Sequence, residues 1–267
     1  MPALRKPAAT RAQSSTAPDS DTCRTRACRC GEHHLARRGL AEGLGTAFLV
    51  AAVVGSGIAA QRLSPHDVGL QLLENSLITG AALVALILAL QPVSAAFNPA
   101  VTLAELALRT ISARTAALLI AAQLAGGVLG AIGANLMFHL DAISLSTHQR
   151  TGSGLWLGEV IATLGLLLVI FGAARSGRDE RIAYAVGGYI TAAYWFTSST
   201  SFANPAVTIA RMFSNTFAGI AAGSVPAFIV MQLIGAAIAV LLIRALYPAT
   251  PSLPLPAPAA PVRKASQ

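Results

Sequence analysis

Residues 97–104 read FNPAVTLA and residues 203–210 read ANPAVTIA. Proline suits the first turn of a helix, where its missing N–H would be unpaired anyway, and asparagine is among the best residues to precede it as N-cap. Asn98-Pro99-Ala100 and Asn204-Pro205-Ala206 therefore read as two helix starts. The helices they open run only about 10 residues, or about 15 Å, which is half the thickness of a bilayer's hydrocarbon core. Each is expected to be a half-helix that re-enters the membrane from a loop.

The surrounding sequence supplies that membrane. Of 267 residues 54% are hydrophobic and 11% charged, against about a quarter charged in an ordinary soluble domain. Six apolar stretches fall at 40–61, 68–91, 115–138, 153–174, 182–198 and 224–246, most of them near the ~20 residues that a spanning helix needs. The fifth is short. The expectation is an all-α membrane protein with six transmembrane helices and two re-entrant half-helices, in a channel domain over 38–247. Residues 1–37, basic, and 248–267, proline-rich, read as disordered tails. The N-terminal tail has no apolar stretch with a small-residue cleavage site, so the first span is expected to act as the membrane signal.

The net charge of +8 follows the same layout. Eight Lys/Arg precede Leu40, with Arg109 and Arg114 after the second span, Arg175, Arg178 and Arg181 after the fourth, and Arg263 and Lys264 at the end. The other side keeps Arg62, Arg150 and Arg211. The bias puts both termini in the cytoplasm, and the charge marks topology rather than a nucleic-acid site.

The two boxes belong to a larger repeat, about 40–138 and about 153–246. Glu42 in the first span has a counterpart in Glu159 in the fourth, and Gln123-Leu124-Ala125-Gly126 in the third matches Gln232-Leu233-Ile234-Gly235 in the sixth. Three spans per repeat is odd, so the second copy enters the membrane upside down and the boxes meet near its midplane. Non-helical backbone at that depth is tolerated where it lines a wet path. Two helix N-termini facing one another there repel cations, and asparagine amides offer hydrogen bonds to neutral solutes.

Six spans, an inverted repeat, a glutamate in spans one and four and two Asn-Pro-Ala boxes resemble the aquaporin (major intrinsic protein) family. The resemblance covers 40–246. It implies a passive channel without cofactor, lying in the cell membrane as a homotetramer with one pore per subunit, and carboxylates at Glu42 and Glu159 that hold loop N–H groups. It also implies an outer constriction of four side chains. Counted from Asn98 and Asn204, these fall on Ile78, Ala192, Ser201 and Val207, with no aromatic and without the arginine the family commonly has after the second box. Such a ring is wide and apolar, so solutes larger than water are expected to pass. Arg211, one helical turn beyond Val207, either restores a filter charge, or snorkels to the interface or binds loop carbonyls.

The string Trp195–Phe202 with Met212–Gly219 is similar to a bacterial aquaporin branch often encoded near arsenic-resistance genes, which implies As(OH)₃ or organic arsenicals as further solutes beside water and glycerol-like polyols. Glu105 is expected to pair or cap locally, and Glu74 has no assigned role. Gly126, Gly127, Gly130 and Gly235 read as sites of close helix approach, and His139 and His148 as solvated loop residues. Cys23, Cys28 and Cys30, with His33 and His34, are soft ligands in no standard zinc spacing, and a disordered basic tail explains them with less. Alternatives to the solute channel are a strictly water-selective pore or a gradient-coupled transporter, which would normally need ion ligands at the midplane. No catalytic arrangement, phosphate loop or metal motif appears in the body, so an enzyme is not expected.

Overall fold

The structure, a computed structural model, describes residues 20–247, with side chains from residue 33 onward. The terminal segments 1–19 and 248–267 lie outside the described residues, as do the side chains of Cys23, Cys28 and Cys30. Among the described residues there are helices and no strands. In order they are α1 (Ser20–Leu63), α2 (Val68–Leu90), α3 (Pro99–Ala107), α4 (Ala113–Met137), α5 (Ser153–Arg175), α6 (Ile182–Phe196), α7 (Pro205–Ala210) and α8 (Val225–Leu246).

The helix starts follow local chemistry. Asp67 caps α2 by accepting from Leu70 N at 2.8 Å, and Ser112 caps α4 by accepting from Thr115 N at 3.2 Å. Asn98 and Asn204 cap α3 and α7 in the same way, each followed by proline. Two boundaries depart from the sequence reading. The first helix already includes residues 20–39, where 20–37 were expected as part of a disordered tail, because no proline interrupts it after Pro18 and Arg37 and Arg38 can extend their charged heads beyond an apolar layer. The fifth span ends at Phe196, where Thr197 turns extended. At 15 residues it rises about 22 Å, and the loop 197–204 covers the remaining depth.

Connections fix the two faces. Gln91 Nε2 donates to Asp179 O at 3.1 Å and Arg175 Nη1 to Tyr247 O at 3.3 Å, joining the loops on the face where α2, α5 and α8 end. Arg62 Nη2 donates to Phe138 O at 2.7 Å and Ala221 N to His148 O at 2.8 Å on the opposite face. The chain thus crosses six times, while α3 and α7 return to the face from which their loops entered. Glu74, unassigned from sequence, accepts from Ser64 Oγ at 2.8 Å and ties α2 to the α1–α2 turn.

The two repeats pack alike. In the first, α1 lies on α4; in the second, α5 lies on α8. Methyl groups added at Gly126 or Gly130 would run into the carbonyl oxygens of Gly43 and Ala47, and one at Gly235 would lie 2.5 Å from Val160 O. Lipid tails are as apolar as leucine, so such close backbone approach does what water exclusion does in a soluble core. Gly126→Val is therefore expected to lower the detergent melting temperature and yield sharply, since α1 and α4 must part; Gly133→Ala, with nothing near it, is the control that should melt unchanged. Large apolar side chains such as Phe48, Leu129, Trp195 and Leu241 remain exposed. That is the lipid-facing belt expected of a spanning bundle.

Candidate functional site

The two boxes meet at the centre of the bundle and are joined by exchanged hydrogen bonds. Asn98 Oδ1 accepts from Ala100 N at 2.9 Å, while its Nδ2 donates to Ala203 O at 2.8 Å. Asn204 Oδ1 accepts from Ala206 N at 3.0 Å, and its Nδ2 donates to Phe97 O at 2.8 Å. Each amide therefore caps its own half-helix and ties down the loop of the other. An Asn amide carries two N–H groups, which leaves one on each side chain for whatever occupies the lumen.

Phe97 and Ala203, which precede the boxes, have φ of 50° and 48°. The left-handed region costs a non-glycine residue about 1–2 kcal/mol, so both must be held from outside. The carboxylates do this. Glu42 accepts from Phe97 N at 2.7 Å, Ala96 N at 2.8 Å, Ser94 Oγ at 2.6 Å and Gln123 Nε2 at 2.8 Å. Glu159 accepts from Phe202 N and Ala203 N at 2.9 Å and Gln232 Nε2 at 2.6 Å. Gln123 also donates to Thr102 Oγ1 and Gln232 to Thr208 Oγ1, at 3.0 and 2.9 Å, so each glutamine locks a half-helix to its carboxylate. With loop N–H groups turned to the carboxylates, carbonyls turn to the centre.

A cavity of about 310 Å³ runs past these residues. It reaches from Arg38, Gln91 and Ser94 near the N-terminal face, past Asn98 and Asn204, to Ser201, Val207 and Arg211 toward the other. Its walls between are apolar: Leu49, Val53, Leu83 and Ile87 from the first repeat, Leu166, Val186 and Ile190 from the second.

Of the four residues expected at the outer constriction, Ser201 and Val207 line the cavity. Ile78 and Ala192 do not; both sit on the outer surface of the bundle, Ile78 with 45% exposure. Thr79 and Tyr194 take the cavity wall instead, their hydroxyls 3.1 Å apart. The cause is helical geometry. Each residue turns a helix by 100°, so a count that slips by one on α2 or two on α6 moves the assigned side chain from the lumen to the lipid. The signal that finds them is the buried stripe: Asn75, Ser76, Thr79, Gly80, Leu83 and Ile87 on α2, and Val186, Gly187, Ile190, Ala193 and Tyr194 on α6. An aromatic residue is thus present on the wall, as Tyr194.

Arg211 is 2% exposed and reaches no interface. Its Nε donates to Ala218 O, its guanidinium stacks on the Phe202 ring with Cζ 3.5 Å from the centroid, and it lines the cavity. Both sequence readings of this residue contain part of its position, since it holds a loop carbonyl and faces the path. Glu105 departs from expectation. It lines the cavity, as Arg38 does, and its Oε2 has no hydrogen-bond partner among the described residues. His148 is exposed in the α4–α5 loop. Among the described residues no group of His, Cys, Asp or Glu could hold a metal ion.

Comparison with known proteins agrees with this architecture. Residues 30–194 match the family described as major intrinsic protein. The chain is 49% identical over 222 residues to the aquaglyceroporin AqpS of Rhizobium meliloti (strain 1021), covering 82% of this chain and 94% of the relative. Among solved structures it superposes on the aquaglyceroporin from Plasmodium falciparum with a TM-score of 0.62 at 20% identity, over 78% of this chain and 95% of the other. This last likeness concerns the fold alone.

Proposed function

We propose, because the chain belongs to the major intrinsic protein family, that its central cavity is a passive pore for water and glycerol-like neutral solutes. The observation that carries this is the cavity running through the bundle past Asn98 and Asn204. Each asparagine keeps one N–H for a solute hydroxyl. Apolar walls on the facing side leave the solute no competing partner, so a small polyol threads past with its oxygens toward the boxes and its carbons toward Leu49, Val53 and Ile190. The N-termini of α3 and α7 point at the same place, and their partial positive charges oppose cations and protons.

Toward the outer face we assign the constriction to Thr79, Tyr194, Ser201 and Val207, with Arg211 supplying the fixed charge that Val207 lacks. The distribution of arginines supports a plasma-membrane orientation with both termini in the cytoplasm, and the lipid-exposed belt suits assembly as a homotetramer. As(OH)₃, an uncharged molecule with the shape of a small polyol, fits the same donors and the same width, and we include it among the expected solutes. At the midplane the boxes supply amides rather than coupling-ion ligands, which favours flux that follows the gradient.

Stopped-flow light scattering of proteoliposomes tests this. Inward gradients of glycerol and of As(OH)₃ should produce reswelling above empty liposomes; fast water flow with no solute entry would show a water-selective pore and end the metalloid reading. Thr79→Phe narrows the assigned ring and removes a hydroxyl from its wall. It is expected to cut glycerol flux about tenfold while reducing water flux far less, since pore width weighs most on the larger solute. Equal loss of both would place the constriction elsewhere.

A further inference from the structure

Beyond the spanning cavity, the outer face holds a second hollow of about 210 Å³, lined by Asn75, His148, Arg150, Thr200, Arg211 and Phe217 among others. Two arginines meet there on one aromatic ring. The Cζ atoms of Arg150 and Arg211 lie 5.1 and 3.5 Å from the centroid of Phe202. Their hydrogen-bond partners among the described residues are not acids but consecutive loop carbonyls: Arg150 Nε donates to Gly219 O at 2.8 Å and its Nη2 to Phe217 O at 3.2 Å, while Arg211 Nε donates to Ala218 O.

Neither arginine has a salt-bridge partner among the described residues, where the one ion pair within 4.0 Å is Arg181 with Glu180 on the far face. Burial pushes the Arg150 guanidinium below its ordinary range, with the charge of Glu159 and then Tyr194 acting the other way. Glu159 cannot reach out to pair with it, because its oxygens are committed to Phe202 N, Ala203 N and Gln232. Two forked cations, one buried and one partly buried, thus have only neutral carbonyls and an aromatic ring as partners among the described residues, and share a hollow large enough for a small ion.

We propose that this hollow is an oxyanion site at the outer mouth of the pore, taking a small tetrahedral oxyanion between the Arg150 and Arg211 guanidiniums, and that its occupancy restricts solute entry. Guanidiniums bind such oxygens with short, charge-assisted hydrogen bonds. Backbone carbonyls fix both side chains in advance, so little ordering is left to the binding step. Arg211 lines the hollow and the spanning cavity alike, so an anion held on it stands at the entrance to the path. The inference rests on the pore reading above for its effect on flux, but not for binding itself.

The test uses inorganic sulfate as probe, on both sides of proteoliposomes carrying the full chain, against chloride at equal ionic strength and osmolarity. Glycerol flux is expected to fall in a saturable way with sulfate and to stay constant in chloride. Arg150→Gln removes one charge-assisted contact and should move the half-effective sulfate concentration upward about tenfold. Equal flux in the two salts, or equal sulfate sensitivity in wild type and Arg150→Gln, overturns the proposal. Where Arg150→Gln loses flux in chloride, Arg150→Lys, which keeps charge without the fork, is judged by the same shift. Thermal melting of the wild-type protein in detergent is the readout independent of transport: sulfate should raise the midpoint above matched chloride, and no rise overturns the site. Absent glycerol flux in chloride alone would instead sink the pore reading and leave the melting result to decide the binding.

Discussion

Glu159→Ala is expected to abolish solute flux and to lower the melting temperature more than any other single replacement in the second repeat. The carboxylate accepts from three buried donors, Phe202 N, Ala203 N and Gln232 Nε2, and alanine offers none of them a partner. Each orphaned buried donor costs about 1–3 kcal/mol, so together they approach the whole stability of a typical domain, about 5–15 kcal/mol. The loss is also local. Ala203 is held at positive φ by its N–H on Glu159 and its carbonyl on Asn98; with the first gone, the left-handed turn relaxes and the second box moves off the axis. Glu159→Gln should fall between, because its amide oxygen still accepts while its NH₂ faces donors. Glycerol flux and detergent melting, read together for both variants, check this. Near-normal flux in Glu159→Ala would show that the loop holds its shape without the carboxylate.

The other large effect is on selectivity. Asn204→Asp keeps the size of the side chain and its cap, since a carboxylate oxygen still accepts from Ala206 N and Val207 N and suits a helix N-terminus. It loses the donor to Phe97 O, however, and sets a negative charge in the lumen where two helix ends had made it positive. The barrier to cations should fall sharply there, because the added charge exceeds the roughly half charge of one helix terminus. A potassium gradient across proteoliposomes with a potential-sensitive dye measures the leak: none is expected in the wild type and a clear one in Asn204→Asp. An equally silent trace in both would mean that ion exclusion rests on Arg211 and the outer ring instead. The double variant Asn204→Asp with Arg211→Ala then decides between the two barriers.

These two residues also mark how far the sequence could be read. Asn98 and Asn204 stood out because capping is local: an Asn-Pro step announces a helix start whatever surrounds it. Glu42 with Glu159 and Gln123 with Gln232 stood out because the repeat pairs them, and an ionisable group inside an apolar span needs partners. Glu105 misled for the same reason, since a carboxylate in a half-helix suggests a local partner and its Oε2 finds none among the described residues.

Order along the chain, the six crossings, the inverted repeat and the position of both boxes were thus determined by the sequence itself, because apolar run length, charge bias and capping act over a few residues and survive without a partner. Which side chains face the path was decided only by tertiary packing. Ile78 against Thr79 and Ala192 against Tyr194 differ by a rotation about the helix axis, and that angle is set by close approaches such as Gly80 on Gly187, not by spacing from a motif. Arg211 likewise has its place fixed by Ala218 and Phe202, residues of the loops on either side of α7 that fold back onto it, which no count along the helix from the second box foretells.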